Sequence, residues 1–264
     1  MVSLGRIAVL IDLSGTLHIE DTCIAGVPAA LQRLRRNPRY AVKFVTNTTK
    51  ESTNRLHERL TKLGLEITRS EIFTSLTAAK HLIKKDNLRP ILFLENAALE
   101  EFADVNVDIK KPNAVVVGLA PSKFTFTSLN EAFRLLLDGA KLIAIHKGRY
   151  FKQKDGLSLG PGPFVEALEY AADVESQVVG KPERAFFLTA LANTDKSLIP
   201  QQAVMIGDDV RDDVLGAINV GMRAILVKTG KYSEGDELKI PEASRNCVES
   251  FVEAVDLIEK NLVK

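Results

Sequence analysis

The sequence predicts an open, doubly wound parallel α/β sheet with a second α/β segment inserted into it. Three observations lead there. Short apolar runs rich in β-branched residues alternate with helical spacing at both ends of the chain. These runs are apolar on successive residues, as strands covered on both faces are. Polar clusters follow several of them in both halves of the chain, where an open parallel sheet collects its ligands.

In chain order, Ile7-Ala-Val-Leu-Ile11 is the first predicted strand. Residues 28–36 follow as a helix with Leu31 and Leu34 inward, and 41–46 return as a second buried strand. From Lys50 onward Leu56, Leu60 and Leu63 recur at helical spacing, and Gly64 supplies a stop. A short strand at 71–75 precedes a helix over 76–86. Residues 91–94, 114–119 and 142–146 predict further strands, separated in part by the amphipathic stretch 129–137. The rhythm resumes with a strand at 177–179, a helix opened by Pro182 and running to Leu191, and a strand at 203–206. A helix over 212–220 closed by Gly221, a strand at 223–227 and a final amphipathic helix over 250–262 complete the pattern. Residues 1–88 with 180–264 are expected to form one discontinuous core domain, and 89–179 an inserted cap.

The composition narrows the function. Of 264 residues, 45% are hydrophobic and 26% charged, the balance of an ordinary globular protein. A formal net charge of +1 gives no argument for nucleic acid or an acidic membrane surface. No stretch approaches the roughly 18 to 20 apolar residues of a membrane span. The N-terminal run 7–13 is interrupted by Asp12 and lacks a small-residue cleavage site. Cys23 and Cys247 are far apart and have no CxxC partner, so a cytoplasmic setting without disulfide or zinc framework is expected.

Four polar clusters carry the chemistry. In Asp12-Leu-Ser-Gly-Thr16 a carboxylate leaves a buried strand and Gly15 permits a sharp turn, so Asp12 is a candidate nucleophile toward phosphorus. An aspartate in that position equally serves as a helix cap. Thr46 and Asn47 present a hydroxyl and an amide suited to phosphoryl oxygens, or to a turn. Lys181, between Gly180 and Pro182, offers a cation to offset phosphoryl charge, or is a solvated turn lysine. In Gly207-Asp-Asp-Val-Arg-Asp-Asp213 several carboxylates follow a strand and enter a helix. Magnesium prefers such hard oxygens, so Asp208 with Asp12 suits it, and Asp213 suits the orientation of a metal-bound water. Acidic residues early in a helix also favour its dipole.

These four clusters, in this order, resemble the haloacid dehalogenase superfamily, and the resemblance runs nearly the whole length of the chain. It implies a Rossmann-like core and an aspartyl-phosphate mechanism. Magnesium would be held by Asp12, Asp208 and the backbone carbonyl of Ser14. The length between the second and third clusters resembles the branch with a large α/β cap, whose members often form a homodimer through it. One position departs from the family pattern. Most phosphatases of this superfamily carry a second aspartate two residues after the nucleophile, as acid and base; this chain has Ser14.

Two functions follow from that departure. One is a magnesium-dependent phosphohydrolase of small phosphorylated compounds with good leaving groups, such as pyrophosphate, P–N bonds or aryl phosphates. The other is a catalytically weak phospholigand- or protein-binding module. A dinucleotide binder is set aside, because the first strand is not followed by Gly-x-Gly-x-x-Gly and no Walker A sequence occurs. Substrate choice is expected in the cap. There the segment 146–163, with Lys147, Arg149, Lys152 and Lys154, reads either as a reach toward an anion or as a solvated basic turn.

Overall fold

Strand β1 (Ile7–Ile11) is buried at all of its positions, which is what a run of five apolar residues requires of its surroundings. In the computed structural model, which describes residues 5–105, 111–153 and 156–262, β1 lies inside a six-stranded sheet. Its companions are β4 (Tyr40–Thr46), β5 (Ile72–Thr74), β12 (Ala203–Gly207), β13 (Arg223–Val227) and β14 (Cys247–Val248). The spatial order is β14-β13-β12-β1-β4-β5, and the pairings from β14 to β4 are parallel. The chain begins at β1, builds outward through β4 and β5, and resumes on the other side of β1 with β12. That reversal between β1 and β12 is a topological switch point, where a crevice opens at the carboxyl ends of the strands.

Two helix pairs pack on this sheet. Helix α1 (Val27–Arg36) lies against β4 and α9 (Phe251–Leu262), burying Val27, Ala30, Leu31 and Leu34 at helical spacing. Helix α7 (Arg184–Thr194) lies against β1, β4 and α8 (Gly216–Asn219). From α7 Phe186 reaches into the core, tilted on Phe73 at 5.2 Å between centroids and edge-on to Phe187 at 5.8 Å. Such pairs add to the burial of the rings themselves.

The sheet belongs to one compact unit, made of Met1–Thr46, His57–Phe73 and Lys181–Lys264; Asn47–Leu56 and Thr74–Gly180 form a second. Helix α2 (Thr53–Lys62) runs from one segment into the next. The second unit has its own parallel sheet, β11-β8-β7-β6, from β6 (Pro90–Phe93), β7 (Ala114–Val117), β8 (Lys141–Ala144) and β11 (Gln177–Val178). Alternate residues of β7 go to opposite faces. Val115 and Val117 meet Ala132 and Leu136 of α5 (Phe126–Leu137) and Val165 and Leu168 of α6 (Gly162–Ala172). Ala114 and Val116 meet Leu76, Ala79 and Ile83 of α3 (Ser75–Lys85) and Ala98 of α4 (Asn96–Leu99). Helix α3 therefore shares its core with this sheet, and the second unit starts ahead of the 89–179 segment named above.

Several elements differ from the sequence reading. Two hairpins appear, β2 (His18–Ile19) with β3 (Thr22–Cys23) and β9 (Tyr150–Gln153) with β10 (Gly156–Leu159). The latter occupies the segment read as a basic turn; Lys154 lies outside the described residues, as does the Lys152 side chain. The helix expected from Pro182 begins at Arg184, because Lys181 and Pro182 are spent on a turn. The helix expected over 212–220 is a π-turn, Val210–Leu215, followed by α8. Among the described residues no helix is long and apolar enough to cross a membrane.

Phe186→Ala should cost about 3–5 kcal/mol in urea-induced unfolding, the usual loss for a buried aromatic replaced by a methyl group. A cost below about 1 kcal/mol would show that the Phe73–Phe186–Phe187 cluster is not packed as described.

Candidate active site

Strand register brings the first and fourth clusters together. Ile11 is paired with Phe44 on one side and Ile206 on the other, and the next amide, of Asp12, donates to the Ile206 carbonyl at 2.9 Å. One step beyond these pairs the chain presents Asp12, Val45 and Gly207, and a further step presents Thr46 and Asp208. The four carboxylate and ammonium groups concerned are almost wholly buried, with Asp12 5%, Lys181 4%, Asp208 2% and Asp213 1% exposed.

Lys181 is the hub. Its Nζ donates to Asp12 Oδ1 and to Asp213 Oδ1, each at 2.6 Å, and lies 3.4 Å from the Val45 carbonyl at the end of β4. The third cluster thus closes the gap between the first and the fourth. Asp213 reaches Lys181 because the chain after β12 makes a wide turn. The Asp209 carbonyl accepts from Asp213 N at 3.0 Å and from Val214 N at 3.2 Å, the second being the i to i+5 spacing of a π-helix. Asp209 caps this turn, its Oδ1 accepting from Arg211 N and Asp212 N at 3.0 Å. The Asp209 amide in turn donates to Asp213 Oδ2 at 3.1 Å.

Glycines set the spacing of the carboxylates. Gly15 has φ +91°, and a Cβ there would lie 2.1 Å from Asp208 Oδ2. A Cβ on Gly207 would lie 2.3 Å from Asp213 Oδ2. Side chains at either position would displace the acids. Between Asp12 and Asp208 sits the buried Thr16, whose hydroxyl is 3.4 Å from Asp12 Oδ2 and 3.5 Å from Asp208 Oδ1.

The electrostatics call for more positive charge than Lys181 supplies. Burial, followed by the charge of Asp12, pushes Asp208 up to about 7 despite the pull of Lys231. Burial raises Asp213 well above the ordinary aspartate value, although Lys181 opposes it. Burial disfavours the Lys181 ammonium, but Asp12 and Asp213 more than offset that and hold it above the ordinary lysine value. Oxygens of Asp12, Asp208 and Asp213 all lie within 4.8 Å of one another. Opposed oxygens around magnesium are separated by about 4 Å, so this acidic, hard-oxygen set fits a divalent cation.

Of the residues singled out from the sequence, Asp12, Thr46, Lys181, Asp208 and Asp213 lie in one unit at the carboxyl edge of its sheet. Ser14 lies in the turn after β1, with an exposed side chain and a backbone bridge to His18. Asn47 belongs to the second unit, where its Oδ1 is 2.5 Å from the position of a Cβ on Gly180. Sequence reasoning assigned nothing to Thr16 or to the segment after β13. There Lys231 N donates to Asp208 Oδ2 at 2.7 Å and the Thr229 hydroxyl donates to the Gly15 carbonyl. The signal was available: Lys228-Thr-Gly-Lys231 is a polar, glycine-containing cluster after a buried strand, like the other four.

Comparison with known proteins places this arrangement. A haloacid dehalogenase-like hydrolase family model matches residues 9–108, and a HAD-hydrolase-like model matches 178–254. Haloacid dehalogenase-like hydrolase domain-containing protein 2 of Mus musculus is 59% identical over 256 residues, 97% of each chain. The human phospholysine phosphohistidine inorganic pyrophosphate phosphatase is 40% identical over 260 residues, covering 96% of this chain and 94% of that one. Among solved structures, a glycerol phosphate phosphatase of Mycobacterium tuberculosis in complex with magnesium superposes with a TM-score of 0.82 at 26% identity, covering 95% of this chain and 77% of the other. With family models that between them span Asp12, Lys181, Asp208 and Asp213, and full-length relatives at such identity, the chain belongs to the haloacid dehalogenase-like hydrolases.

Proposed function

We propose that the protein is a magnesium-dependent phosphohydrolase that works through an aspartyl-phosphate on Asp12. Its substrates are small phosphorylated compounds whose leaving groups need little protonation. The observation that carries this reading is the buried Lys181 ammonium, bonded to Asp12 and Asp213 at 2.6 Å beside the carboxylate of Asp208. A structural ion pair needs one partner for a lysine; a second acid on it and a third beside it suit a centre that gathers charge around a phosphoryl group.

In this reading an Asp12 oxygen attacks phosphorus, the Asp12 O–P bond forms and the bond to the leaving group breaks, the leaving group keeping the electron pair. Water then attacks the same phosphorus, breaking the Asp12 O–P bond and releasing phosphate. Lys181 orients Asp12 and offsets negative charge on the phosphoryl oxygens. Thr46, at the end of β4, and Asn47, which follows it, are proposed to bind those oxygens. Asp12, Asp208 and the Ser14 carbonyl would hold magnesium, with Asp213 acting on its water. The cation would neutralise phosphoryl charge and draw the substrate to Asp12. The second unit is proposed as the cap that selects substrates, and the resemblance implies a homodimer through it.

Ser14 narrows the substrate class. Its hydroxyl is not a carboxylic acid near neutral pH, and general acid–base assistance is typically worth about 10²- to 10⁴-fold. Pyrophosphate, phosphoramidates and aryl phosphates need that assistance least. The human relative named above for phospholysine, phosphohistidine and inorganic pyrophosphate is in keeping with such leaving groups.

Phosphate release should depend on added magnesium and should fall by at least about 10³-fold in Asp12→Asn, which lacks the attacking carboxylate. No magnesium-dependent release from any of these compounds by the wild-type protein would favour a phospholigand-binding module instead. Ser14→Asp should raise turnover of alkyl phosphate esters by about 10²-fold while changing aryl phosphate turnover much less. Equal rates on alkyl and aryl esters in the wild type would sink the leaving-group argument.

A further inference from the structure

We propose that Thr229, Gly230 and Lys231 form a strap of positioning residues that fixes Asp208 and the turn after Asp12 from behind. The inference rests on the reading that Asp12, Asp208 and the Ser14 carbonyl hold a divalent cation, and it adds a segment to which that reading assigns nothing. Gly207 is paired with Leu226, so the chain leaving β13 emerges beside Asp208. The next residues make a run of contacts. The Thr229 hydroxyl donates to the carbonyl of Gly15, in the turn that also carries Ser14. Gly230 has φ +54°, and a Cβ there would lie 2.1 Å from Asp208 Oδ2 and 2.5 Å from Gly15 Cα. Lys231 N donates to Asp208 Oδ2 at 2.7 Å, while its Nζ pairs with Asp209 Oδ2 at 3.1 Å.

Three consecutive residues thus tie the turn after β1, the Asp208 carboxylate and the cap of the π-turn into one assembly. With Oδ2 tethered by the Lys231 amide, the Asp208 carboxylate keeps Oδ1 on the side of Thr16, the same hydroxyl that neighbours Asp12 Oδ2. A buried acid that repels its neighbours would otherwise rotate away from them. Groups that orient metal ligands in this way commonly control metal affinity without touching the ion.

The test is magnesium binding by isothermal titration calorimetry on the full chain, with the thermal midpoint of the metal-free protein measured beside it. Thr229→Val keeps the shape and removes the donor; it should bind magnesium about tenfold more weakly with an almost unchanged metal-free midpoint, and Thr229→Ser should restore binding to within about threefold of wild type. Lys231→Ala keeps the main-chain amide on Asp208 and removes only the Nζ pair with Asp209, so its binding should stay within about threefold of wild type. Wild-type affinity in Thr229→Val, an equal loss in Thr229→Ser, or a loss beyond about tenfold in Lys231→Ala would overturn the strap. Asp208→Asn separates the two levels. If it abolishes binding and Thr229→Val does not weaken it, only the strap fails; if wild type binds no magnesium, or Asp208→Asn binds as wild type does, the cation reading fails and the strap with it.

Discussion

The constraint on which the molecule depends is the burial of like charges. Asp12, Asp208 and Asp213 are withdrawn from water together, and Lys181 is withdrawn with them. Removing carboxylates from water is costly unless hydrogen bonds and opposite charge compensate, so each of these groups has to be met by a partner from elsewhere in the chain. Those partners are the Lys181 ammonium for Asp12 and Asp213, the Asp209 amide for Asp213 and the Lys231 amide for Asp208. The long-range order of the chain follows from meeting them. Residues 12, 181, 208 and 231 must converge, and a parallel sheet whose strand order reverses between β1 and β12 is the topology that permits it.

Backbone freedom is the second requirement. Acids packed this closely leave no room for a Cβ on the neighbouring turns, so Gly15, Gly207 and Gly230 stand where the polypeptide approaches the carboxylates. Two of the three have positive φ, a conformation that L side chains adopt reluctantly. The turn after β1 is therefore shaped by the acid it faces as much as by its own preferences. That is why a five-residue segment, Asp12 to Thr16, carries a carboxylate, a glycine and a hydroxyl in fixed order.

Much of this was legible in the sequence because buried parallel strands announce themselves. Ile7–Ile11, Tyr40–Thr46, Ala203–Gly207 and Arg223–Val227 are apolar enough to be found by pattern, and the polar residues after them mark the carboxyl edge. The rest was hidden for physical reasons. The π-turn arises from a shared Asp209 carbonyl, an arrangement of backbone geometry that no side-chain period encodes. The periodicity of α3 tells which of its residues are buried but not against which sheet, so Leu76, Ala79 and Ile83 could not be assigned to the second unit beforehand. The hairpin at His18–Ile19 and Thr22–Cys23 is too short for alternation to register. Thr229 and Lys231 escaped because their contribution is a hydroxyl and a main-chain amide after the last long strand, and a main-chain amide leaves no mark on the sequence.

The two-sided core of the second unit has a consequence for how this protein can change over generations. Both hydrophobic clusters on its sheet are built from that unit's own residues, from Leu76 to Val179 on one face and from Phe93 to Leu168 on the other. Substitutions that reshape its loops are absorbed by packing that includes none of the buried acids. Side chains on the rim of that unit can therefore be exchanged without loosening what holds Asp12, Lys181, Asp208 and Asp213 in place.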